Sequence, residues 1–327
     1  MSKATAEARA NIALVKYWGQ SDPELNLPLT GSLSMTVDSL VTTTTVEADP
    51  SLKADALTIN GVAQQGAPLA RASRFLDALR TRAGASEHCR VTSVNTFAAS
   101  AGLASSASAF AALTVAGFAA LGAKVGEREM TTFARLGSGS AARSIHGGFV
   151  EWHAGATHEA SYAEPVAPPS HLDLHDVVVV LSEGEKKTGS AEGHGHAGTS
   201  PLLPGRLARV PALLAQVREG ILARDIKKLG EAAEEDALLM HAVMMTSRPS
   251  LLYWSPGTVA GLHAVRAWRE EGLAVYATID AGPNLHLLCA GRDAPEVAKR
   301  ATEALAPASL IDNKPGEGAR LLSRHLA

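Results

Sequence analysis

Four short segments of the chain carry residue types at spacings that could do chemistry. The first is Ser100-Ala-Gly-Leu-Ala-Ser-Ser-Ala-Ser108, a small-residue loop running into an apolar stretch. Backbone N–H groups at a helix N-terminus sit at the positive end of its dipole, so such a loop can cradle phosphates. Ser105 and Ser106 could add hydroxyls to a phosphate or to Mg²⁺. The alternative is a packing helix with no ligand. No Gly-Lys-Ser/Thr follows, so the loop is not a Walker A motif. The second segment is Gly137-Ser-Gly-Ser-Ala-Ala142, followed by Arg143. It reads loosely as the dinucleotide fingerprint G-x-G-x-x-A, but that motif follows a strand and opens a helix, whereas this one follows a helical stretch. A loop presenting Ser138, Ser140 and Arg143 to an anion is the more natural reading. The third is Asp280-Ala-Gly-Pro-Asn284, a carboxylate held at the end of a strand, either for chemistry or as a local Asx-turn. The fourth is Asn11-Ile-Ala-Leu-Val-Lys-Tyr-Trp-Gly19, where Lys16 and Tyr17 interrupt an apolar run. A surface lysine at a strand end is its plain alternative. His194 and His196 form H-x-H, but no cysteine or carboxylate stands at ligand spacing, which argues against a metal site. His241, after EEDALLM, reads as an ordinary helix residue.

The elements that must position these segments can be read from periodicity. Residues 33–48 are rich in Val, Thr and Leu with partial alternation, which predicts a strand. A helix is expected over 69–82, with Phe75, Leu76 and Leu79 on one face. A strand near 90–94 leads into the Ser/Gly loop. From Val91 to Ala123 there is no charged residue, and 103–123 is long enough to cross a bilayer. Its Ala, Ser and Gly side chains gain little from lipid, so a helix buried between protein layers is the better reading. Another helix is expected over 127–136 and a strand over 148–152. The unbroken apolar run 177–181 suits a strand buried on both faces. The Gly-rich polar stretch that follows predicts a mobile loop over 184–205 and a boundary between two domains, 1–183 and 184–327. Beyond it, 207–245 reads as helical. Ser255 and Pro256 start a further helix as N-cap and first residue, and Gly272 ends it. Strands over 274–279 and 285–289 bracket the tight turn that carries Asp280.

A chain of 327 residues suggests about two domains. With 46% hydrophobic and 19% charged residues it can fill a core and is not a disordered chain. Thirty basic against 33 acidic residues give a net charge of −3, so a chain-wide basic footprint for nucleic acid or anionic lipid is absent, although a local basic pocket is not excluded. Cys89 and Cys289 alone build neither a disulfide framework nor a Cys-based metal site, and a reducing cytoplasm fits. The apolar run 12–15 is too short for a signal-peptide core.

Taken together, NIALVKYWG, SAGLASSASAFAAL, GSGSAARSIHGGFVEW and IDAGPNLHLL, in that order over residues 11–288, closely resemble the mevalonate diphosphate decarboxylases of the GHMP small-molecule kinase superfamily. The resemblance implies an α+β GHMP-kinase fold. Its N-terminal domain would be ribosomal-protein-S5-domain-2-like, its C-terminal domain ferredoxin-like, and its active site would lie in the cleft between them. It implies a homodimer, a cytoplasmic location and the cofactors ATP and Mg²⁺. The implied reaction phosphorylates the 3-hydroxyl of mevalonate 5-diphosphate, then loses phosphate and CO₂ to give isopentenyl diphosphate. By residue match, Asp280 would take or orient the hydroxyl proton, and Arg143 would grip the substrate carboxylate, oriented by Asn11. Lys16 would supply positive charge beside Asp280. Tyr17, Ser138, Ser140 and Arg71 match substrate diphosphate contacts. Gly102, Ser105 and Ser106 match the ATP phosphate loop, with Ser105 or Ser106 able to reach Mg²⁺. Ser190 matches a serine on a segment that closes over nucleotide. The sequence departs from the family at Gln20, where many relatives have Lys or Arg, at Ala98, and in part of GEKKTGSAEGH. A sibling acting on mevalonate 5-phosphate or mevalonate, as decarboxylase or 3-kinase, is the nearest alternative. Retention of Asp280, Arg143 and Lys16 favours decarboxylation, and also speaks against a non-catalytic homologue.

Overall fold

The computed structural model describes residues 2–97, 105–181 and 189–326, with Ser105 described in its backbone alone. Gly102, Ala98 and residues 184–188 of the expected loop lie outside them. The chain opens with β1 (Ser2–Val15), a short hairpin of β2 (Gln20–Asp22) and β3 (Leu27–Pro28), and the long β4 (Ser32–Ala48). Then come β5 (Ala56–Ile59), β6 (Val62–Ala63), α1 (Ala67–Ala83), β7 (Cys89–Asn95), α2 (Ser105–Ala120) and α3 (Glu127–Gly137). A 3₁₀ turn over Gly139–Ser144 leads to β8 (Phe149–Trp152) and β9 (Ala163–Ala167). The second half runs β10 (Leu174–Val180), α4 (Ser190–His196), α5 (Leu203–Ala223), α6 (Ile226–Thr246), α7 (Pro256–Glu270), β11 (Val275–Thr278), β12 (Leu285–Ala290), α8 (Ala294–Leu305), β13 (Ser309–Asn313) and β14 (Arg320–Leu322).

These strands form two main sheets. The first has the order β14-β1-β4-β7-β5-β6, with β8 and β9 attached along β4. It is mixed, because β5 pairs parallel to β7 while its other pairs are antiparallel. The second is antiparallel, with the order β11-β12-β10-β13. The result is the α+β, two-sheet architecture expected. The β-branched residues of β4 fit a pleated, half-buried surface. Two register shifts interrupt the β1–β4 ladder, between Arg9 and Asn11 and between Ala13 and Val15. Bulges of this kind bend a strand and re-aim its side chains. Here they flank Asn11 and immediately precede Lys16.

α2 is the uncharged small-residue segment, and it packs against β1 and β4 as a buried layer. Its Gly117 explains the composition: a Cβ there would lie 2.6 Å from Leu79 Cδ1 of α1. Among the described residues no helix is long and apolar enough to cross a membrane. β10 is buried on both faces, as its apolar run predicts. Val178 and Val180 join a core with Ile12, Met35 and Val37 of the first sheet, while Val177 and Val179 face α7 and α8.

Two expectations need correction. The composition-based boundary at 183/184 comes too late, since β10 is already hydrogen bonded into the second sheet, and β14 returns from the chain's end to the first. A polar Gly-rich stretch marks a surface connection, not the point where sheet membership changes. The expected loop 184–205 is also largely helical where it is described, comprising α4, a 3₁₀ turn over Ala197–Thr199 and the start of α5. His194 anchors it, buried between the rings of Tyr17 and Trp18 at centroid distances of 4.1 and 4.6 Å. The helical reading of 207–245 resolves into α5 and α6, separated by Arg224 at φ 58° and by Asp225, which caps α6 by accepting from the Lys228 N–H.

α7 begins with a capping box. Ser255 Oγ accepts from the Thr258 N–H at 3.2 Å, and Thr258 Oγ1 accepts from the Ser255 N–H at 3.1 Å. Thr258 Oγ1 also donates to the Pro283 carbonyl at 2.6 Å, tying the helix start to the turn that carries Asp280. Ser255→Ala should lower the unfolding free energy by about 1 kcal/mol. Thr258→Val should cost more, because it removes the tie to the turn as well. Urea unfolding of both variants checks this, and a Thr258→Val loss no larger than that of Ser255→Ala would remove the tie from the account.

Candidate active site

Described residues of all four sequence segments line one open cleft of about 960 Å³. It is lined by Asn11, Lys16, Tyr17, Arg71, Ser106, Ser138, Ser140, Arg143, Ser190 and Asp280. Trp18, Asn26, Met240 and Ala281, to which sequence reasoning gave no role, also line it. Ser105 opens α2 beside the cleft.

Lys16 follows the last residue of β1, and Asp280 the end of the strand opposite. Lys16 Nζ donates to Asp280 Oδ1 at 2.7 Å. The lysine side chain is only 2% exposed, while Asp280 keeps 32% of its side chain open to the cleft. Lys16 is held by its own peptide. Its N–H donates to Asp236 Oδ2 at 2.5 Å, and its carbonyl accepts from Arg206 Nη2 at 2.9 Å. Arg206 of α5 and Asp236 of α6 pair at 3.0 Å, and both are fully buried. Sequence reasoning missed these two. An aspartate on the buried face of an apolar helix, within EEDALLMH, was the available signal.

Arg143 forms the opposite wall and is almost wholly buried. Its Nη1 donates to Ser32 Oγ at 2.5 Å and its Nη2 to Asn11 Oδ1 at 3.2 Å, while Nε has no partner among the described residues. Asn11 is fixed in turn, since its amide donates to the Ser140 carbonyl at 3.1 Å and to Ser144 Oγ at 2.7 Å. Burial pushes the Arg143 pKa down to about 10, against the opposing pull of Asp280 and Tyr17. A buried guanidinium with only neutral hydrogen-bond partners favours an incoming anion, and its planar fork suits a carboxylate.

The other end of the cleft is built from hydroxyls. Ser138 Oγ lies 3.1 Å from Ser106 Oγ and 3.4 Å from Ser140 Oγ. Arg71 Nη2 donates to the Gly137 carbonyl at 2.7 Å, with the guanidinium 4.7 Å above the Phe110 ring. Gly139 leaves room for Tyr17, because a Cβ there would lie 2.5 Å from the tyrosine ring. Gln20 Nε2 donates to Tyr17 Oη and to Asn26 Oδ1, both at 2.8 Å. Burial pushes the Tyr17 pKa up to about 12, so it stays a neutral phenol able to donate. The N-terminus of α2, with Ser106 in its first turn, adds the positive end of a helix dipole. Ser190, first residue of α4, also lines the cleft.

Two of the three histidines that the sequence raised, His194 and His241, are packed inside the fold. His194 Nδ1 accepts from the Gly19 N–H at 3.0 Å, and burial drives its pKa down to about 3. His241 lies buried against Trp254, with ring centroids 5.2 Å apart. Burial, and then the nearby Lys16 ammonium, lower its pKa to about 4.

Comparison with known proteins places both halves of the chain in one family. A family described as the diphosphomevalonate decarboxylase-like N-terminal domain matches residues 8–163, and the mevalonate 5-diphosphate decarboxylase C-terminal domain matches residues 176–320. The diphosphomevalonate decarboxylase of Ganoderma lucidum is 36% identical over 86% of this chain and 77% of its own length. Mevalonate diphosphate decarboxylase from Staphylococcus aureus superposes with a TM-score of 0.95 at 35% identity, over 98% of both chains. A structure of MDDEF in complex with MVAPP, AMPPCP and magnesium superposes with a TM-score of 0.93 at 36% identity, covering 98% of this chain and 99% of that one.

The two histidines make stability depend on pH. Their folded pKa values lie below the unfolded value of about 6.5, so on acidification the unfolded chain takes up protons that the folded protein refuses. The stability they contribute is complete above about pH 6.5 and is lost as pH falls towards 4. His241→Gln should reduce the slope of unfolding free energy against pH by about one proton between pH 6 and 4.5. Urea titrations at several pH values measure this, and an unchanged slope would mean that His241 is already protonated in the folded protein.

Proposed function

The chain belongs to the diphosphomevalonate decarboxylase family, and from that membership we propose how its cleft divides the work. The protein is an ATP-dependent decarboxylase that converts mevalonate 5-diphosphate to isopentenyl diphosphate with release of ADP, phosphate and CO₂. One observation carries the assignment of roles: the Lys16–Asp280 pair shares a cleft with the buried guanidinium of Arg143.

The chemistry asks little of the protein beyond placement. A tertiary hydroxyl leaves poorly, so it is first phosphorylated. As the phosphate departs, positive charge develops at C3 and draws in the electron pair of the bond to the carboxylate carbon. Asp280 accepts the proton of the 3-hydroxyl. Lys16 keeps positive charge beside the reacting oxygen, where phosphoryl transfer accumulates negative charge. Arg143, fixed by Asn11 and Ser32, holds the carboxylate and so orients the bond that breaks. Tyr17, Ser138, Ser140 and Arg71 receive the diphosphate. Gly102, Ser105, Ser106 and the start of α2 would hold the ATP phosphates, with Ser190 closing from α4. Beside Arg71, an apolar pocket of about 870 Å³ bounded by Leu57, Ile59, Val91, Phe110 and Leu113 suits the nucleotide base.

Among the described residues no group of three or more His, Cys, Asp or Glu could hold a metal ion. This fits Mg²⁺ entering on ATP, with phosphate, water and a serine hydroxyl as its hard oxygen ligands. Once bound, the ion neutralises phosphate charge. We place the enzyme in the cytoplasm, where its substrates and two free buried cysteines would be at home, and expect a homodimer from the family resemblance.

The direct test incubates the protein with ATP, Mg²⁺ and each of mevalonate, its 5-phosphate and its 5-diphosphate, with ADP and CO₂ both measured. Equal yields of the two products from the 5-diphosphate are expected. ADP without CO₂ would make the protein a 3-kinase, and preference for the 5-phosphate would make it the sibling decarboxylase. Asp280→Asn should lower turnover by about 10²–10⁴ while binding of both substrates stays within about tenfold, because the amide is near-isosteric but cannot take the proton. Arg143→Lys should be strongly impaired although its charge is kept, since an ammonium cannot replace the planar fork between Asn11, Ser32 and a carboxylate. Steady-state kinetics decide both, and a wild-type catalytic constant in either variant would remove that residue from the mechanism.

A further inference from the structure

Behind Asp280, on the side away from the cleft, lies a second polar group that the mechanism above leaves unused. Asp176 of β10 and His286 of β12 stand on the face of the second sheet that packs against the first. Asp176 is fully buried and His286 only 8% exposed. His286 Nδ1 donates to both Asp176 carboxylate oxygens at 3.0 Å. Asn313 of β13 adds a longer bond to Asp176 at 3.5 Å and accepts from the Ser39 hydroxyl. A buried carboxylate among valines and leucines is costly unless it is paired, and here the imidazole pairs it.

Asp176, His286, Asp280 and Asn11 line one small chamber with room for about one water molecule. An imidazole that donates from Nδ1 to Asp176 carries, in its neutral form, a lone pair on Nε2 that can accept a proton. From β4 and β1 the chamber receives Val37, Leu40, Ile12 and Asn11, none of which titrates. The charged groups that face His286 are therefore Asp176 on β10 and Asp280 after β11, with Lys16 beyond Asp280.

We propose that His286, held by Asp176, is a positioning residue that takes from Asp280 the proton released by the substrate hydroxyl. The inference rests on Asp280 being the group that first accepts that proton. As the new O–P bond forms, the O–H bond breaks and the proton passes to the Asp280 carboxylate. A proton kept there would weaken the charge-assisted bond to Lys16. Passed through one water in the chamber to His286 Nε2, it leaves Asp280 ionised and an imidazolium paired with the Asp176 carboxylate. After product release the proton returns by the same water to Asp280 and leaves through the open cleft. No oxidant, reductant or further co-reactant is needed.

The test is the pH dependence of ADP formation in a single turnover, which isolates the transfer step from product release. His286→Gln keeps a donor towards Asp176 but cannot accept and return a proton. The wild-type rate should fall as pH is lowered, as expected of a step that needs a free proton acceptor beyond Asp280. The variant should run at least tenfold slower at neutral pH, with KM within about twofold, and its fall on the acidic side should differ in shape from the wild type's. An acidic fall of the same shape in the variant, whatever its rate, would overturn the proposal and leave the pair as a strut between the sheets. If His286→Gln does not fold, Asp176→Asn gives the same reading, because it removes the charge that stabilises the imidazolium while keeping an acceptor for Nδ1–H. Asp280→Asn retaining activity would be a different failure, that of the parent reading, and is measured separately.

Discussion

Much of the architecture turns on how one peptide group is held. β1 ends at Val15, and the next residue must leave the sheet with its N–H and C=O buried. Buried backbone groups need partners, and here both come from the other half of the molecule: Asp236 accepts from the Lys16 N–H, and Arg206 donates to its carbonyl. The same two side chains pair with each other across α5 and α6. An ion pair this deep is poor evidence of stability, since removing two charges from water costs about as much as their attraction returns. Its value lies in placement. Loss of either partner would leave a naked buried charge and unfix the lysine that meets Asp280. The juncture between the sheets and the position of the Lys16 ammonium thus depend on the same contact.

The electrostatics of the cleft follow from that juncture. The chain as a whole carries a net charge of −3, yet the cleft gathers Lys16, Arg71 and Arg143 around one carboxylate. Two of those cations are almost entirely removed from solvent. Screening by salt is weak there, so their charge acts on a bound anion at close to full strength. Neutral hydrogen-bond partners surround Arg143, Asn11 and Ser32 among them, so its charge is reserved for the ligand. Tyr17, Gln20 and Asn26 extend the lining without adding charge.

The sequence revealed the parts of this site whose signals are local. Ser138, Ser140 and Arg143 stand in a glycine-flanked loop, Asp280 in a Gly-Pro turn and Lys16 at a break in an apolar run, and all of them meet in the cleft. Strand β10 and helix α2 were equally legible, from an unbroken apolar run and a small-residue stretch. What escaped was long-range. Asp236 and Arg206 look like ordinary charges on helices until β1 is brought between them, 220 and 190 residues away from Lys16. Asp176 and His286 alternate with apolar residues as any solvent-facing pair would, but their face meets the other sheet. Composition also misplaced the boundary and the loop after it, because glycine and polarity report exposure of a connection and not whether a buried residue such as His194 anchors it.

Asp280 gains from its place on a hairpin between two adjacent strands. β11 and β12 are packed on both faces, so the turn between them cannot drift, and Thr258 ties it to the start of α7. Helix termini and loops in general tolerate displacement, whereas a phosphoryl-transfer site loses rate with errors of about 1 Å. Arg143 is anchored differently, through the bulged strand β1 by way of Asn11. Asp280 and Arg143, the two groups proposed to act on the substrate's C3 substituents, therefore hang from different sheets, and their separation is fixed only as firmly as the sheets are fixed to each other. That makes the valine-rich face of β10, packed against Ile12, Met35 and Val37, part of what sets the geometry of the cleft although none of those side chains touches it.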